Sequence, residues 1–243
     1  MLIGELMYVA VNTVPTIAYA VSCLARYMTK ATPQHYEYAR QVLRYLKGVK
    51  HRKLTWCAGK VRYPLKRGEL SSYADSSWAD DKPSRKSTYS YFLFCNNAAF
   101  SWKSTLAPIL ALSTSEAELI AECACAQEVL FCRKLANELG FLQIAPTLLF
   151  EDNYGAICLA QHGHFKGRSK HLDLRWKFIK DCIETGVLKL VPIASENMIA
   201  DIGTAARPAP ALKIASAAIY GDLALHQSVT LPLQPNTLGK RKR

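Results

Sequence analysis

Four acidic residues, far apart in the chain, stand where carboxylates could act together. Asp75 ends an alternating run that is typical of a strand, and Asp152 ends a short apolar run. Glu118 falls in the first turn of a long helical pattern, and Asp201 falls in a short final one. Each acid also has an ordinary interpretation as a loop acid, a helix cap or a favourable charge at a helix start, and Ser115 could form a capping box with Glu118. Their joint occurrence in this order of elements favours one shared site.

The chemistry that clustered carboxylates support is phosphodiester hydrolysis with divalent ions. Magnesium prefers hard oxygen ligands and keeps several waters, so a few convergent carboxylates suffice without His or Cys ligands. Two ions about 3.5–4 Å apart can activate a water and relieve charge on the leaving oxygen. Because carboxylates in one site repel each other, we expect some of their pKa values to be raised. The sequence therefore predicts two Mg²⁺, or Mn²⁺, held by Asp75, Glu118, Asp152 and Asp201.

The elements that must position these acids occupy residues 68–204. The predicted strands span 70–75, 89–95, 98–104, 147–152 and 187–194, and the predicted helices span 115–139, 154–161, 171–185 and 197–204. An antiparallel hairpin set followed by alternating helices and strands implies a mixed sheet with helices packed on it. The predicted fold class is therefore α/β.

The regions on either side of this domain differ from it in character. Residues 1–60 predict a small helical segment, with helices that begin near Pro15 and Pro33 and a stop at Gly48. From residue 205 onward an Ala/Pro-rich stretch leads to four basic residues at 240–243, which predicts a disordered basic tail over 205–243. Its end could be a nuclear-import signal or add non-specific affinity for nucleic acid.

The formal net charge of +12 is unevenly distributed. Residues 1–67 carry 12 Lys and Arg against 2 acids, whereas residues 68–204 carry 13 against 16. A basic arm beside a slightly acidic domain suits a polyanionic partner that one part grips and the other processes. The alternative is an ordinary solvated basic surface.

Cysteines and the N-terminus bear on where the chain works. None of the eight cysteines forms a CxxC pair, and most lie in apolar runs, so we expect buried free thiols and an intracellular, reducing compartment. The apolar N-terminus contains Glu5, Asn12 and Pro15 and lacks a basic leader, so we expect neither a signal peptide nor a membrane association there.

Seven short blocks lie in a fixed order around the four acids. They are Tyr-Ala-Asp-Ser-Ser-Trp-Ala at 73–79, Arg-Lys-Ser-Thr at 85–88, Ser-Trp at 101–102, Leu-Ser-Thr-Ser-Glu-Ala-Glu at 112–118, Asp-Asn-Tyr-Gly-Ala-Ile at 152–157, Lys-His-Leu-Asp-Leu-Arg at 170–175 and Ala-Asp-Ile at 200–202. With these blocks, residues 70–204 resemble the ribonuclease H domain of copia-type retrotransposon polyproteins. Residues 2–48 are similar to the end of the reverse transcriptase of that family, so the resemblance is to the C-terminal part of the polyprotein.

The resemblance implies a ribonuclease-H-like fold and endonucleolytic cleavage of the RNA strand of RNA–DNA hybrids during reverse transcription. The family's four metal-binding, catalytic acids fall on Asp75, Glu118, Asp152 and Asp201, and Glu118 is preferred to Glu116 because Glu-Leu-Ile-Ala matches the enzyme class better. The implied partners are an RNA–DNA hybrid and the polymerase part of the same polyprotein, in a cytoplasmic particle or the nucleus.

Six further residues are candidate nucleic-acid contacts. Ser76, Ser87 and Asn153 could contact the backbone and the 2′-hydroxyls that distinguish a hybrid. Arg85, Lys86 and Lys103 could contact phosphates, with ordinary surface ion pairs as the alternative. His171 and Asp173 are interpreted as anchors of their helix, because one histidine and one acid make a poor metal site.

Two departures from the family pattern favour a rival interpretation. The family has glycine where Ser90 stands, and Leu-Thr-Lys where this chain reads Gly203-Thr204-Ala205. Because glycine weakens helices, the second change predicts a loosened element around Asp201. The alternative function is therefore a catalytically inactive nucleic-acid-binding remnant of a retrotransposon polyprotein. A transposase or integrase core is a weaker third interpretation.

Overall fold

The computed structural model describes residues 2–56, 65–162 and 170–222, and its centre is a single five-stranded sheet. The strands are β1 (Leu70–Ser77), β2 (Thr88–Cys95), β3 (Ala98–Leu106), β4 (Thr147–Glu151) and β5 (Leu188–Pro192). Their spatial order is β3-β2-β1-β4-β5. β1, β2 and β3 pair antiparallel, whereas β4 runs parallel to both β1 and β5. The predicted mixed sheet is confirmed, with strand ends within three residues of those predicted.

Helices cover both faces of the sheet. They are α1 (Leu2–Asn12), α2 (Ala18–Ala25), α3 (Pro33–Val49), α4 (Thr114–Glu138), α5 (Tyr154–His162), α6 (Lys170–Glu184) and α7 (Ala209–Tyr220), with 3-10 helices at Pro15–Ile17, Ser195–Asn197 and Ile199–Gly203. The long helix α4 packs on β1 and β2, and α6 packs against α4 in the same core. The 3-10 helix Ile199–Gly203, called the Asp201 turn below, and α7 pack on the opposite face. The predicted α/β fold with flanking helices is confirmed.

Alternation along β1 divides the interior into two cores. Ala74 points into the core beneath α4, whereas Tyr73 points into the core beneath the Asp201 turn and stacks on Phe150. Because neighbouring residues of a strand point to opposite faces, Asp75 shares the face of Tyr73. The strand that carries Asp75 is therefore held from both sides by buried apolar side chains.

The predicted N-terminal helical segment is present and packs against the sheet domain. Leu6, Val21 and Val42 belong to a small core of its own. The indole nitrogen of Trp102 on β3 donates to the carbonyl of Ala10 at 2.7 Å. Arg26 also pairs with Asp81, at 3.0 Å, in the loop between β1 and β2. These contacts attach the basic segment to the domain that carries the four acids.

The prediction of a disordered tail from residue 205 is wrong for residues 209–220, which form α7. Ala215, Ala218 and Ile219 of this helix are buried against the sheet, and it ends at Gly221, whose φ of 73° is the left-handed conformation of a helix C-cap. The Ala/Pro-rich composition that predicted disorder is also that of a helix which begins after a proline and packs closely through small residues. Residues 223–243, with the basic end, lie outside the described residues.

Two smaller expectations can be compared with the described residues. All seven cysteines among them are free, and Cys123, Cys125, Cys132 and Cys182 are buried. In the same ranges, no helix has the length and apolar character that crossing a membrane requires.

Candidate active site

Asp75 lies near the end of β1 and is almost completely buried, at 7% exposure. The hydroxyl of Thr204 donates a hydrogen bond to its carboxylate. Burial, followed by the negative charges of Asp201 and Asp152, raises the pKa of Asp75 to about 7, although Thr204 and Arg207 act in the opposite direction. This carboxyl group therefore changes its charge near neutral pH.

Glu118 enters the site from α4 and is buried too. Its Oε2 atom has no hydrogen-bond partner among the described residues. Burial and the charge of Asp75 raise its pKa well above the usual range. The capping role belongs to the neighbouring acid, since Ser113 accepts the amide of Glu116 and Glu116 accepts the amide of Leu112 at 2.7 Å. The alternative interpretation of Glu118 as a cap is therefore wrong, and Glu118 is the acid that faces the other carboxylates.

Asp152 follows β4 directly and is half-buried. The cap of the next helix is Asn153, whose side-chain oxygen accepts the amide of Ala156 at 3.2 Å, so Asp152 is not needed there. Its negative charge contributes to the raised pKa values of Asp75, Glu118 and Asp201. Because β1 and β4 are adjacent and parallel, Asp152 and Asp75 meet at the same edge of the sheet.

Asp201 lies in the Asp201 turn and forms an ion pair with Arg207. Burial raises the pKa of its carboxyl group, and the Arg207 guanidinium limits this rise. The turn is fixed from β2 and β3: Ser90 donates to the carbonyl of Ala200 at 2.6 Å, and Ser104 donates to the carbonyl of Gly203 at 2.5 Å. Its position is thus set by the sheet.

The structure brings the four predicted acids together from four different elements. Asp75 and Asp152 come from the ends of parallel strands, Glu118 from one helical layer and Asp201 from the other. A cavity of about 580 Å³ is lined by two of these acids, Asp152 and Asp201, by Arg207 and by apolar residues of α7. No group of three or more His, Cys, Asp or Glu side chains in the described ranges is arranged as a metal site.

Sequence reasoning missed two further buried acids, Glu122 and Glu151. Both are completely buried, and neither carboxylate oxygen of Glu122 has a hydrogen-bond partner in the described part of the chain. Burial raises the pKa of Glu122 to about 8, and burial with the charges of Glu118 and Glu122 raises that of Glu151. The available signals were the Glu118–Glu122 spacing of one helical turn and the Glu151-Asp152 pair at a strand end.

Three of the predicted nucleic-acid contacts lie close to the acids or on the surface near them. Ser76 follows Asp75 on β1 and lies beside Glu118. Arg85 is exposed in the loop between β1 and β2, with a φ of 56° and its amide bonded to the Asp81 carbonyl at 2.7 Å. Lys86 donates from Nζ to the carbonyl of Pro108 at 2.9 Å, so contact with a phosphate requires that bond to be given up.

The other three predicted contacts have different surroundings. Ser87 is 1% exposed, and its hydroxyl accepts a hydrogen bond from the amide of Ala79 within the loop between β1 and β2. The prediction that Ser87 contacts nucleic acid directly is therefore wrong. Lys103 is exposed on β3 and lies opposite Tyr91 in the register of β2 and β3. Its side chain is therefore on the sheet face opposite to Asp75. Asn153 bonds Glu151 through its amide and caps α5 through its side chain.

The helix that carries His171 and Asp173 lies outside this site. Asp173 pairs with Lys177 at 3.1 Å along α6, and Arg175 donates to the carbonyl of His171 at 3.1 Å. These contacts run within the helix, as expected for residues that anchor it.

Known proteins similar to this chain agree with the resemblance predicted from the sequence blocks. No family model matches. The retrovirus-related Pol polyprotein from transposon TNT 1-94 of Nicotiana tabacum is 33% identical over 206 residues, which are 85% of this chain and 15% of that protein. The Pol polyprotein from transposon RE1 of Arabidopsis thaliana is 30% identical over 203 residues, 82% of this chain and 13% of that protein. Among solved structures, LC11-RNase H1 in complex with an RNA/DNA hybrid is similar, with 16% identity and a TM-score of 0.42. The superposition includes 56% of this chain and 93% of that chain.

The matched stretches, of 206 and 203 residues, are longer than the sheet domain at residues 68–204 and therefore extend beyond it. The chain spans 13–15% of the length of these curated relatives. Over 82–85% of its length, the chain is therefore homologous to the retrovirus-related Pol polyproteins of plant transposons.

Proposed function

We propose that the chain is a divalent-metal-dependent ribonuclease H, which hydrolyses the RNA strand of RNA–DNA hybrids during the reverse transcription of a copia-type retrotransposon. The observation that carries the proposal is the meeting of Asp75, Glu118, Asp152 and Asp201 at one edge of the sheet. Buried acids in one cluster destabilise the folded chain, because each carboxylate repels the next. Such clusters are unusual unless a function needs them. Similarity to the Pol polyprotein of a plant transposon supports the same activity.

The donor set suits a hard divalent cation. All four side chains offer carboxylate oxygens, and one of these, Glu118 Oε2, is buried without a partner among the described residues. Burial, and then repulsion between the carboxylates, raise the pKa values of Asp75 and Glu118, and a bound cation relieves this repulsion. Asp75, Glu118, Asp152 and Asp201 would hold Mg²⁺ or Mn²⁺. When bound, two such ions supply Lewis-acid stabilisation of the charge that develops on the phosphodiester.

The chain's own residues prepare this site for its substrate. The Thr204 hydroxyl favours the charged form of Asp75, which is the form that binds cations. The exposed cations Arg44, Lys47 and Lys50 on and after α3 form a basic surface on the attached helical segment. We propose that this surface contacts the phosphate backbone of the hybrid and that the polymerase part of the polyprotein is a partner, because non-specific contacts to nucleic acid are mainly electrostatic.

A second candidate function is an inactive nucleic-acid-binding remnant. It is favoured by the ion pair of Arg207 with Asp201, together with the finding that the acids of the described ranges do not stand in the arrangement of a metal site. In this case the basic surface would still bind nucleic acid, but the four acids would no longer bind divalent ions.

Cleavage of a hybrid with labelled RNA by the 243-residue chain separates the two candidates. The reaction is run with Mg²⁺ or Mn²⁺, and Asp152→Asn is compared with the control Asp173→Asn, which changes an acid of α6 outside the site. The proposed enzyme cuts the RNA strand, keeps this activity in Asp173→Asn and loses it in Asp152→Asn. Binding of the hybrid without cleavage in either metal would establish the remnant instead.

A further inference from the structure

Arg207 is a cation placed inside the acidic site by the chain itself. Its guanidinium pairs with the Asp201 carboxylate, and it is the only Lys or Arg among the described residues that line the cavity beside Asp152. Nothing in the sequence blocks marked this residue, which lies after the last of them. The pair joins a residue that is mostly buried, Asp201, to one that is about one-third exposed.

The backbone around Arg207 is fixed at both ends, so the ion pair is built into the fold. On the N-terminal side, Ala205 donates to the carbonyl of Asp201 at 3.1 Å, and the Thr204 hydroxyl bonds Asp75. On the C-terminal side, Pro208 caps α7 and restricts Arg207 to extended conformations. The chain thus folds back over Asp201 and carries the guanidinium to it.

We propose that Arg207 is a resident counter-cation that competes with divalent ions for the Asp201 carboxylate. This inference rests on the proposed function, since it assumes that Asp201 is a metal ligand. The guanidinium contacts Oδ2 of Asp201, and its positive charge repels a divalent ion that approaches the same carboxylate. Arg207 therefore stabilises the ion-free chain and lowers its affinity for ions.

The test measures the binding of Mn²⁺ to the 243-residue chain. Binding is monitored by electron paramagnetic resonance, as the loss of the signal of the free ion. Arg207→Gln removes the competing charge and should bind Mn²⁺ about fivefold more tightly than the natural chain, the effect expected for a partly exposed ion pair. Arg207→Lys keeps the charge and should lie between the two. Lys213→Gln removes an exposed charge from α7 away from the cavity lining and should bind like the natural chain.

Thermal unfolding of the same variants shows that they fold and gives a second readout. Arg207→Gln should unfold at a lower temperature without ions, because Asp201 loses its partner, and should gain more from added Mn²⁺ than the natural chain. Equal or weaker Mn²⁺ binding by Arg207→Gln would overturn the inference. If the natural chain still cuts the hybrid in that case, the proposed function stands alone, whereas absence of both Mn²⁺ binding and cleavage in all variants would overturn both.

Discussion

Ser90 on β2 and Gly203 in the Asp201 turn share one space. A Cβ atom placed on Gly203 would lie 2.5 Å from the Cβ of Ser90, so only glycine fits at 203 while serine stands at 90. These are also the two positions named above as departures from the family pattern. The prediction that Gly203 loosens the element around Asp201 is wrong, because the hydroxyls of Ser90 and Ser104 bind its backbone.

We expect Gly203→Ala to destabilise the fold by about 1–3 kcal/mol, the usual cost of overpacking a core. Ser90→Gly should remove most of this cost in the double variant, so the two changes are coupled. Urea unfolding of the single and double variants measures the coupling. Gly48→Ala in α3 is the control: its Cβ would meet nothing within 4 Å, and alanine should be neutral or stabilising there. Purely additive effects at 90 and 203 would contradict the shared space.

Glu122 should make the fold less stable as the pH rises. Its pKa of about 8 in the folded chain exceeds the ordinary value of 4.5, so the unfolded chain releases the proton first. The free energy of unfolding should therefore fall between about pH 4.5 and pH 8, and Asp75, Glu118 and Glu151 act in the same direction. Glu122→Gln removes one of these groups. At pH 8 this variant should be more stable than the natural chain by about 1–3 kcal/mol.

The control for Glu122→Gln is Glu138→Gln at the exposed end of the same helix. It should leave the pH dependence of stability unchanged. Chemical unfolding at pH 5 and pH 8 is sufficient to compare the three chains. The same decline in Glu122→Gln as in the natural chain would show that Glu122 keeps its charge by another contact.

Thr204→Val should shift the pH dependence of the proposed nuclease. The hydroxyl of Thr204 lowers the pKa of Asp75, so its loss raises that pKa and reduces the charged fraction at neutral pH. We expect several-fold lower activity at pH 7, recovering by about pH 8.5, because one hydrogen bond to a carboxylate changes a pKa by about one unit. Thr185→Val, at the exposed end of α6, should not change the profile. A uniform loss of activity at every pH would contradict this role.

The succession of strands and helices along the chain, and the positions of the four acids within it, could be predicted because both depend on local sequence pattern. Asp75 and Asp152 end runs whose periodicity marks strands, and Glu118 follows a helix start. Arg207 could not be predicted in this way, since its meeting with Asp201 depends on how the chain turns into α7. The same holds for α7 itself, whose Ala residues gain stability by packing on β3 and on the Asp201 turn.

Other features escaped prediction because burial is a property of the whole fold. Ser87 is a predicted nucleic-acid contact, yet the loop folds its hydroxyl inward, where it accepts a hydrogen bond from the Ala79 amide. Glu122 and Glu151 appeared as ordinary acids in the sequence, and only the packing of α4 on the sheet encloses them. Sequence pattern thus located the acids of the site but not the side chains that regulate their charge.

Substituting each of the four acids in turn tests most directly whether they form one catalytic site. Asp75→Asn, Glu118→Gln, Asp152→Asn and Asp201→Asn are compared, in the cleavage of a labelled RNA–DNA hybrid with Mg²⁺, with Glu116→Gln, the neighbouring acid that bonds the Leu112 amide. Each of the four should lose at least about a hundredfold in rate, as removal of a group that stabilises transition-state charge does, while Glu116→Gln keeps most of the activity. Full activity in any of the four, or a greater loss in Glu116→Gln than in Glu118→Gln, would contradict the site.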